Sequence, residues 1–157
     1  ANFMCAKPMD DGKYGLVGDI TKIDKKVLKN LIKEKFIPVI APIAAGDDVD
    51  HPGYNINADL AASKIAVALK AKKIIFLTDT PGVLDKEGNL ISSLDKAKIK
   101  ALKKDGTISG GMIPKLDACL ETLRGGVERA HIIDGRVEHS ILLELFTKDG
   151  IGTIIKE

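Results

Sequence analysis

The sequence predicts an α/β protein, a three-layer αβα sandwich with a mainly parallel sheet and a small β-hairpin. Three observations carry that reading. Short apolar runs rich in β-branched residues alternate with stretches whose apolar residues recur at helical spacing, the pattern of successive βαβ units. One such run, Ile74, Ile75, Phe76 and Leu77, follows a stretch with Leu60, Ile65, Ala66, Ala68 and Leu69 at helical spacing, and suits a parallel strand buried on both faces. Its carboxyl end carries Thr78, Asp79, Thr80, Pro81 and Gly82, and ligands of open α/β sheets sit just beyond such strand ends.

Taken in order, the 157 residues suit one domain, 1–157, long enough to bury a core. The chain begins at Ala1 and enters on Phe3, Met4, Cys5 and Ala6 as a strand already under way, so a segment upstream is expected to be missing. Lys13 to Ile23, with Gly15 and Gly18, alternates as a surface hairpin or ribbon would. Asp24 then caps a helix with Leu28, Leu31 and Ile32 on one face and a solvated lysine face around it. Phe36 to Ile43 reads as a second buried strand, with Pro38 and Pro42 near its ends. The acidic loop that follows holds His51, expected to be a solvated loop histidine.

Beyond Asp85 the segment KEGN reads as a tight turn, Leu90 to Leu94 as an extended piece, and Asp95 as the cap of a helix running to about Lys104. The loop DGTISGG leads into another helix, with Pro114 in its first turn, where the missing N–H costs nothing. Leu116, Ala118, Cys119, Leu120 and Leu123 form its apolar side, and Gly125 with Gly126 ends it. Ala130 to Ile133 is a strand, His139 to Phe146 a helix, and Thr153 to Lys156 a closing strand.

Composition excludes several function classes. Hydrophobic residues at 45% and charged residues at 29% are ordinary for a globular protein, and no apolar run approaches the roughly 20 residues that span a bilayer. A net charge of +2 gives no nucleic-acid surface, and 4% aromatics without Trp removes the stacking platform of a single-strand binder. Cys5 and Cys119 form no CxxC or Cys/His spacing and read as reduced, buried thiols of a cytoplasmic protein. The dinucleotide fingerprint GxGxxG and the P-loop are both absent.

The polar clusters each admit two readings. Asn55, Asn57 and Asp59 either cap the helix that they open or orient a substrate. Thr78 to Gly82 is either a plain turn or a ligand loop. Lys115 lies near the positive end of a helix, so it either points to water or shares an anion with that helix end.

Four blocks in order, NINADLAA at 55–62, LTDTPGVLD at 77–85, SGGMIPK at 109–115 and GGVERAHIIDGRVEHSILLELFTKDGIGTII at 125–155, resemble the acetylglutamate kinases of the amino-acid kinase family. The resemblance covers nearly the whole chain. It implies a carbamate kinase-like fold and ATP-dependent phosphorylation of the side-chain carboxylate of N-acetyl-L-glutamate in arginine biosynthesis, with magnesium on the phosphates. By that resemblance Asp79, Thr80, Pro81, Gly82, Val83 and Leu84, with Thr107, Ile108 and Ser109, bind ATP. Asn55 contacts acetylglutamate, Lys115 stabilises the transferring phosphoryl group, and Asp59 orients the catalytic lysines.

The family's glycine-rich loop, its first catalytic lysine and its acetylglutamate-gripping segment have no counterpart here, so the chain is expected to be the carboxyl-terminal, nucleotide-binding half, inactive alone. The ending is similar to the arginine-inhibited branch, whose members are homo-oligomers, and makes His131, Glu144 and Gly150 candidates for an arginine site. A non-catalytic module binding nucleotide or arginine is the alternative.

Overall fold

A computed structural model describes residues 2–47, 53–148 and 150–156. The chain divides into two compact units, Ala1–Leu69 and Lys70–Glu157. His51 lies outside the described residues.

In the first unit, β1 (Met4–Pro8) buries Met4 and Ala6 on one side, the alternation of a half-buried strand. It pairs antiparallel with β2 (Gly18–Ile23) through a register shift at Cys5/Ala6. The hairpin is therefore made by β1 and β2, while 13–17 belong to their connection rather than to a ribbon of their own. Asp24 does cap α1 (Lys25–Lys33), its Oδ1 accepting the Lys26 N–H at 2.9 Å, and Leu28 is the residue that α1 buries. A short β3 (Ile43–Gly46) runs parallel to β1 and antiparallel to β4 (Tyr54–Asn55). α2 (Ala58–Leu69) opens with Asn57 Oδ1 accepting the Leu60 N–H at 3.1 Å. Met4, Ala6, Ala44, Tyr54, Ile56 and Ala61 form this unit's core.

The expected strand over 36–43 is not formed. Residues 36–42 are irregular, Ile37 is 90% exposed and Val39 96%, and the strand starts only at Ile43. Pro38 and Pro42 each lack the N–H that a central strand must donate, and so outweigh the apolar composition.

The second unit carries a four-stranded sheet in the order β5-β7-β8-β6. β5 (Lys73–Thr78) and β7 (Arg129–Asp134) are parallel, from Lys73↔Arg129 to Thr78↔Asp134. β8 (Thr153–Ile155) is antiparallel to β7 and parallel to β6 (Ser93–Leu94). The α/β alternation thus holds, but with mixed strand directions. Part of the reason is α5 (Ser140–Phe146), whose seven residues span about 10 Å, too short to carry the chain back for a parallel return.

α3 (Lys96–Lys104) is capped by Asp95, which accepts the Lys98 N–H at 2.8 Å. α4 (Met112–Arg124) contains Pro114 in its first turn and ends at Gly125. Leu94, Ile99, Leu116, Ile132, Ile133 and Ile155 are buried to within 1% exposure. A Leu so buried stabilises by roughly 1.5–3 kcal/mol. Cys119 belongs to this interior, whereas Cys5 is only half-buried, so the expectation of two buried thiols is met by one.

Candidate functional site

Polar groups follow the carboxyl ends of β5 and β7, Asp79 and Thr80 after β5 and Asp134 with Arg136 at β7. Beyond Thr78 the chain turns through Asp79 and Thr80, with the Thr80 hydroxyl donating to the Gly82 carbonyl at 3.2 Å. Gly82 takes φ +149°, and a Cβ there would stand 2.7 Å from both Leu90 Cδ1 and Thr153 Oγ1, so only glycine fits the turn. Val83 is buried, while Asp79 and Pro81 are more open. The hairpin that follows closes on Asp85, whose carboxylate accepts the N–H groups of Asn89 and Glu87 at 2.8 and 3.0 Å. These bonds, that from Asn89 foremost, hold its carboxyl below the usual range.

The second candidate segment, Thr107 to Ser109, lies between α3 and α4. Ile108 anchors it in the core, and Asp105 accepts both the Thr107 hydroxyl at 2.6 Å and its N–H at 3.0 Å. Thr107 is the main reason that the Asp105 carboxyl is held down. Lys86, on the hairpin after the 79–84 turn, reaches Asp105 at 3.8 Å. The two candidate ATP segments are thereby joined at their neighbours.

Lys115 is the fourth residue of α4, near the amino-terminal, positive end of the helix dipole. Its Nζ stands 5.5 Å from the ring centroid of Phe76, a buried β5 residue, so a cation–π contact draws the ammonium toward the strand that leads into the 79–84 turn. In the first unit, Asn55 is exposed on β4, its N–H donating to the Leu16 carbonyl at 2.8 Å. Asp59 stands half-buried in the first turn of α2, and Asn57 supplies the cap. Capping therefore accounts for Asn57, and the helix dipole favours an acidic Asp59 in the first turn, while Asn55 takes no part in the cap.

A second cluster was legible only by resemblance. His131, Glu144 and Gly150 line one cavity of about 330 Å³, together with Lys73, Arg129 and Lys148. His131 Nδ1 meets Glu144 Oε1, and Glu144 Oε2 accepts the Ile151 N–H at 2.9 Å. Gly150 has φ +62°, and a Cβ on it would come within 2.8 Å of Glu144 Oε2. Burial pushes the His131 imidazole down in pKa against the opposing pull of Glu144, and its Nε2 is buried without a hydrogen-bond partner among the described residues.

Sequence reasoning missed two groups. Asp134, at the end of β7, takes a fork from Arg136 Nε and Nη2 at 2.9 and 2.7 Å, which brings its carboxyl down to about 2. The signal was a carboxylate at a strand's carboxyl end with an arginine two residues on. Thr153 hydrogen-bonds to the 79–84 turn from 70 positions away, and no local pattern announces that.

The amino acid kinase family model matches residues 1–134. The acetylglutamate kinase of a Nitratiruptor species is 70% identical over 153 residues, covering 98% of this chain and 54% of the relative. That of Aliarcobacter butzleri is 68% identical over 148 residues, covering 94% and 49%. The chain thus spans about half the length of the curated relatives it matches. N-acetylglutamate synthase from Neisseria gonorrhoeae, in a complex with coenzyme A and L-arginine, superposes with a TM-score of 0.89 at 28% identity, covering 99% of this chain and 37% of that one. Giardia carbamate kinase, with a TM-score of 0.74 at 21% identity over 98% of this chain and 60% of that one, shares the fold.

Proposed function

This chain belongs to the amino acid kinase family, and from that premise we propose that it is the nucleotide-binding half of an enzyme that phosphorylates N-acetyl-L-glutamate. The 70% identity to an acetylglutamate kinase carries the reading. A side-chain carboxylate oxygen of acetylglutamate attacks the γ-phosphorus of ATP, the bond to the β,γ-bridging oxygen breaks, and ADP leaves with N-acetyl-L-glutamyl 5-phosphate as product. The attacking carboxylate is already ionised at neutral pH, so no general base is needed, and positioning with charge neutralisation is what remains for the protein.

Resemblance to the family supports the following division of labour. The turn Asp79 to Leu84 and the loop Thr107 to Ser109 hold the nucleotide at the strand ends. Lys115, drawn toward β5 by Phe76 and set at the positive end of α4, meets the charge that builds on the transferring group. By that resemblance Asn55 is the acetylglutamate contact and Asp59 the residue that orients the catalytic lysines. Magnesium bound with the nucleotide would supply further charge neutralisation. The complete enzyme is a cytoplasmic homo-oligomer, and among the described residues no helix is long and apolar enough to cross a membrane.

The cavity around Glu144 supports arginine as a feedback inhibitor. It offers a carboxylate for a guanidinium and three cations, Lys73, Arg129 and Lys148, for a carboxylate. Mixing this chain with the amino-terminal part of an acetylglutamate kinase tests the proposal. ADP formation should appear and depend on acetylglutamate. Activity on aspartate or UMP with none on acetylglutamate would sink it.

A further inference from the structure

Thr153 is fully buried at the start of β8, and its hydroxyl both accepts and donates. Its Oγ1 accepts the Val83 N–H at 2.8 Å, and its O–H donates to the Ile91 carbonyl at 2.7 Å. The Ile91 N–H in turn donates to the Val83 carbonyl at 2.8 Å. One hydroxyl therefore ties both arms of the hairpin that continues from the 79–84 turn to a strand far away in sequence. Gly82, next to Val83, has room for no Cβ because Thr153 Oγ1 would lie 2.7 Å from it.

The same strand has a second face. Side chains alternate along a strand, and while Thr153 and Ile155 are buried, Gly152 and Ile154 line the cavity that holds His131 and Glu144. The Ile154 N–H donates to the Ser92 carbonyl at 3.0 Å, and Ser92 also lines that cavity. The wall of that cavity and the fastening of the turn therefore share one strand.

We propose that Thr153 is a positioning residue that fastens the 79–84 turn to β8 and so links nucleotide affinity to the wall of the Glu144 cavity. The inference rests on reading that turn as the nucleotide segment. Thr153 touches no nucleotide itself. It holds Val83, and through Val83 the backbone that receives the nucleotide.

Thr153→Val keeps the volume and removes the hydroxyl, while Thr153→Ser keeps the hydroxyl and removes a methyl. Binding of a fluorescent ADP analogue with magnesium is measured first on the unsubstituted protein, then on both variants, alongside amide exchange at Val83. Thr153→Val should weaken binding about tenfold and speed Val83 exchange about tenfold, and Thr153→Ser should stay within about twofold on both. Should Thr153→Val melt at a lower temperature yet bind as tightly as the unsubstituted protein, Thr153 is merely structural and the inference is overturned. Equal losses in Thr153→Ser and Thr153→Val overturn it too, since the hydroxyl would not then be responsible. If Thr153→Val fails to fold, Thr153→Ala against Thr153→Ser isolates the hydroxyl, and identical binding by those two refutes the proposal. An unsubstituted protein that binds no nucleotide overturns the assignment of the turn, a failure seen before any variant is compared.

Discussion

His131 Nδ1 stands 2.5 Å from Glu144 Oε1, with both side chains under a tenth exposed. Burial is the largest influence on the imidazole and favours its neutral form, while Glu144 opposes it and Lys73 and Arg129 add to it. A neutral ring with its proton on Nδ1 donates to the carboxylate and leaves Nε2 as an acceptor without a partner among the described residues.

A pH dependence of stability follows. The folded pKa lies below the ordinary 6.5, so the unfolded chain binds more protons in that window. This contribution is present above 6.5 and lost as pH falls through 6.5 toward the folded value. Urea midpoints at about pH 8 and about pH 5.5 should therefore differ more for the native protein than for His131→Gln, whose amide still donates to Glu144 without taking up a proton. Equal pH slopes for the two proteins would show that His131 titrates as it does in the unfolded chain.

Asp134 and Arg136 give a second titration. The guanidinium fork is the main cause of a carboxyl at about 2. Its folded pKa is depressed, so the stabilisation is present above the ordinary 3.8 and lost as pH falls through about 2. Arg136→Gln should move the Asp134 titration, followed by its carboxyl carbon resonance, up toward 3.8. A resonance still titrating near 2 would assign the shift to the backbone N–H of Arg136, at 2.9 Å from Oδ1, rather than to its side chain.

The parts of the chain that were legible in the sequence share a physical cause. α4 and β7 were readable because their own burial sets their pattern, whereas β5, expected to be buried on both faces, buries Ile74 and Phe76 and leaves Leu77 49% exposed. Asp24 and Asp95 announced their helices because a cap acts within a few residues. The segment 36–43 misled because composition is a weaker constraint than two missing N–H groups. The direction of β8 is set by the short α5 and by pairing with β7 and β6, information held between segments rather than within one. The 79–84 turn could be found because strand carboxyl ends are where α/β sheets expose backbone groups. The cavity could not be found by residues alone, since Lys73 and Arg129 sit at strand starts and look like ordinary solvated cations until β5 and β7 pair.

For catalysis, the test residue is Lys115. In the enzyme reconstituted with its amino-terminal part, Lys115→Ala should lower kcat by a factor of about 100 or more with a smaller change in KM for ATP. Losing a charge contact made in the transition state costs roughly 3 kcal/mol, and the ground-state nucleotide retains the two loops. A raised KM with kcat intact would make Lys115 a ground-state phosphate ligand only.

The cavity makes the last prediction. Glu144 bonds His131 through one carboxylate oxygen and the Ile151 N–H through the other, and each oxygen keeps a lone pair for an incoming guanidinium. The side chain is 8% exposed, so a pair formed there is shielded from water and salt. Glu144→Ala removes that charge, and it also releases the strand entry at Ile151 and leaves the His131 Nδ1–H without its acceptor. Arginine inhibition of the reconstituted enzyme should then weaken about tenfold or more, with basal activity altered less because the cavity is not the reacting site. Glu144→Gln separates the two effects, since its amide can keep one of the internal hydrogen bonds while losing the charge. If Glu144→Gln is inhibited by arginine as strongly as the unsubstituted enzyme, the carboxylate does not bind the guanidinium, and the proposed pocket is wrong.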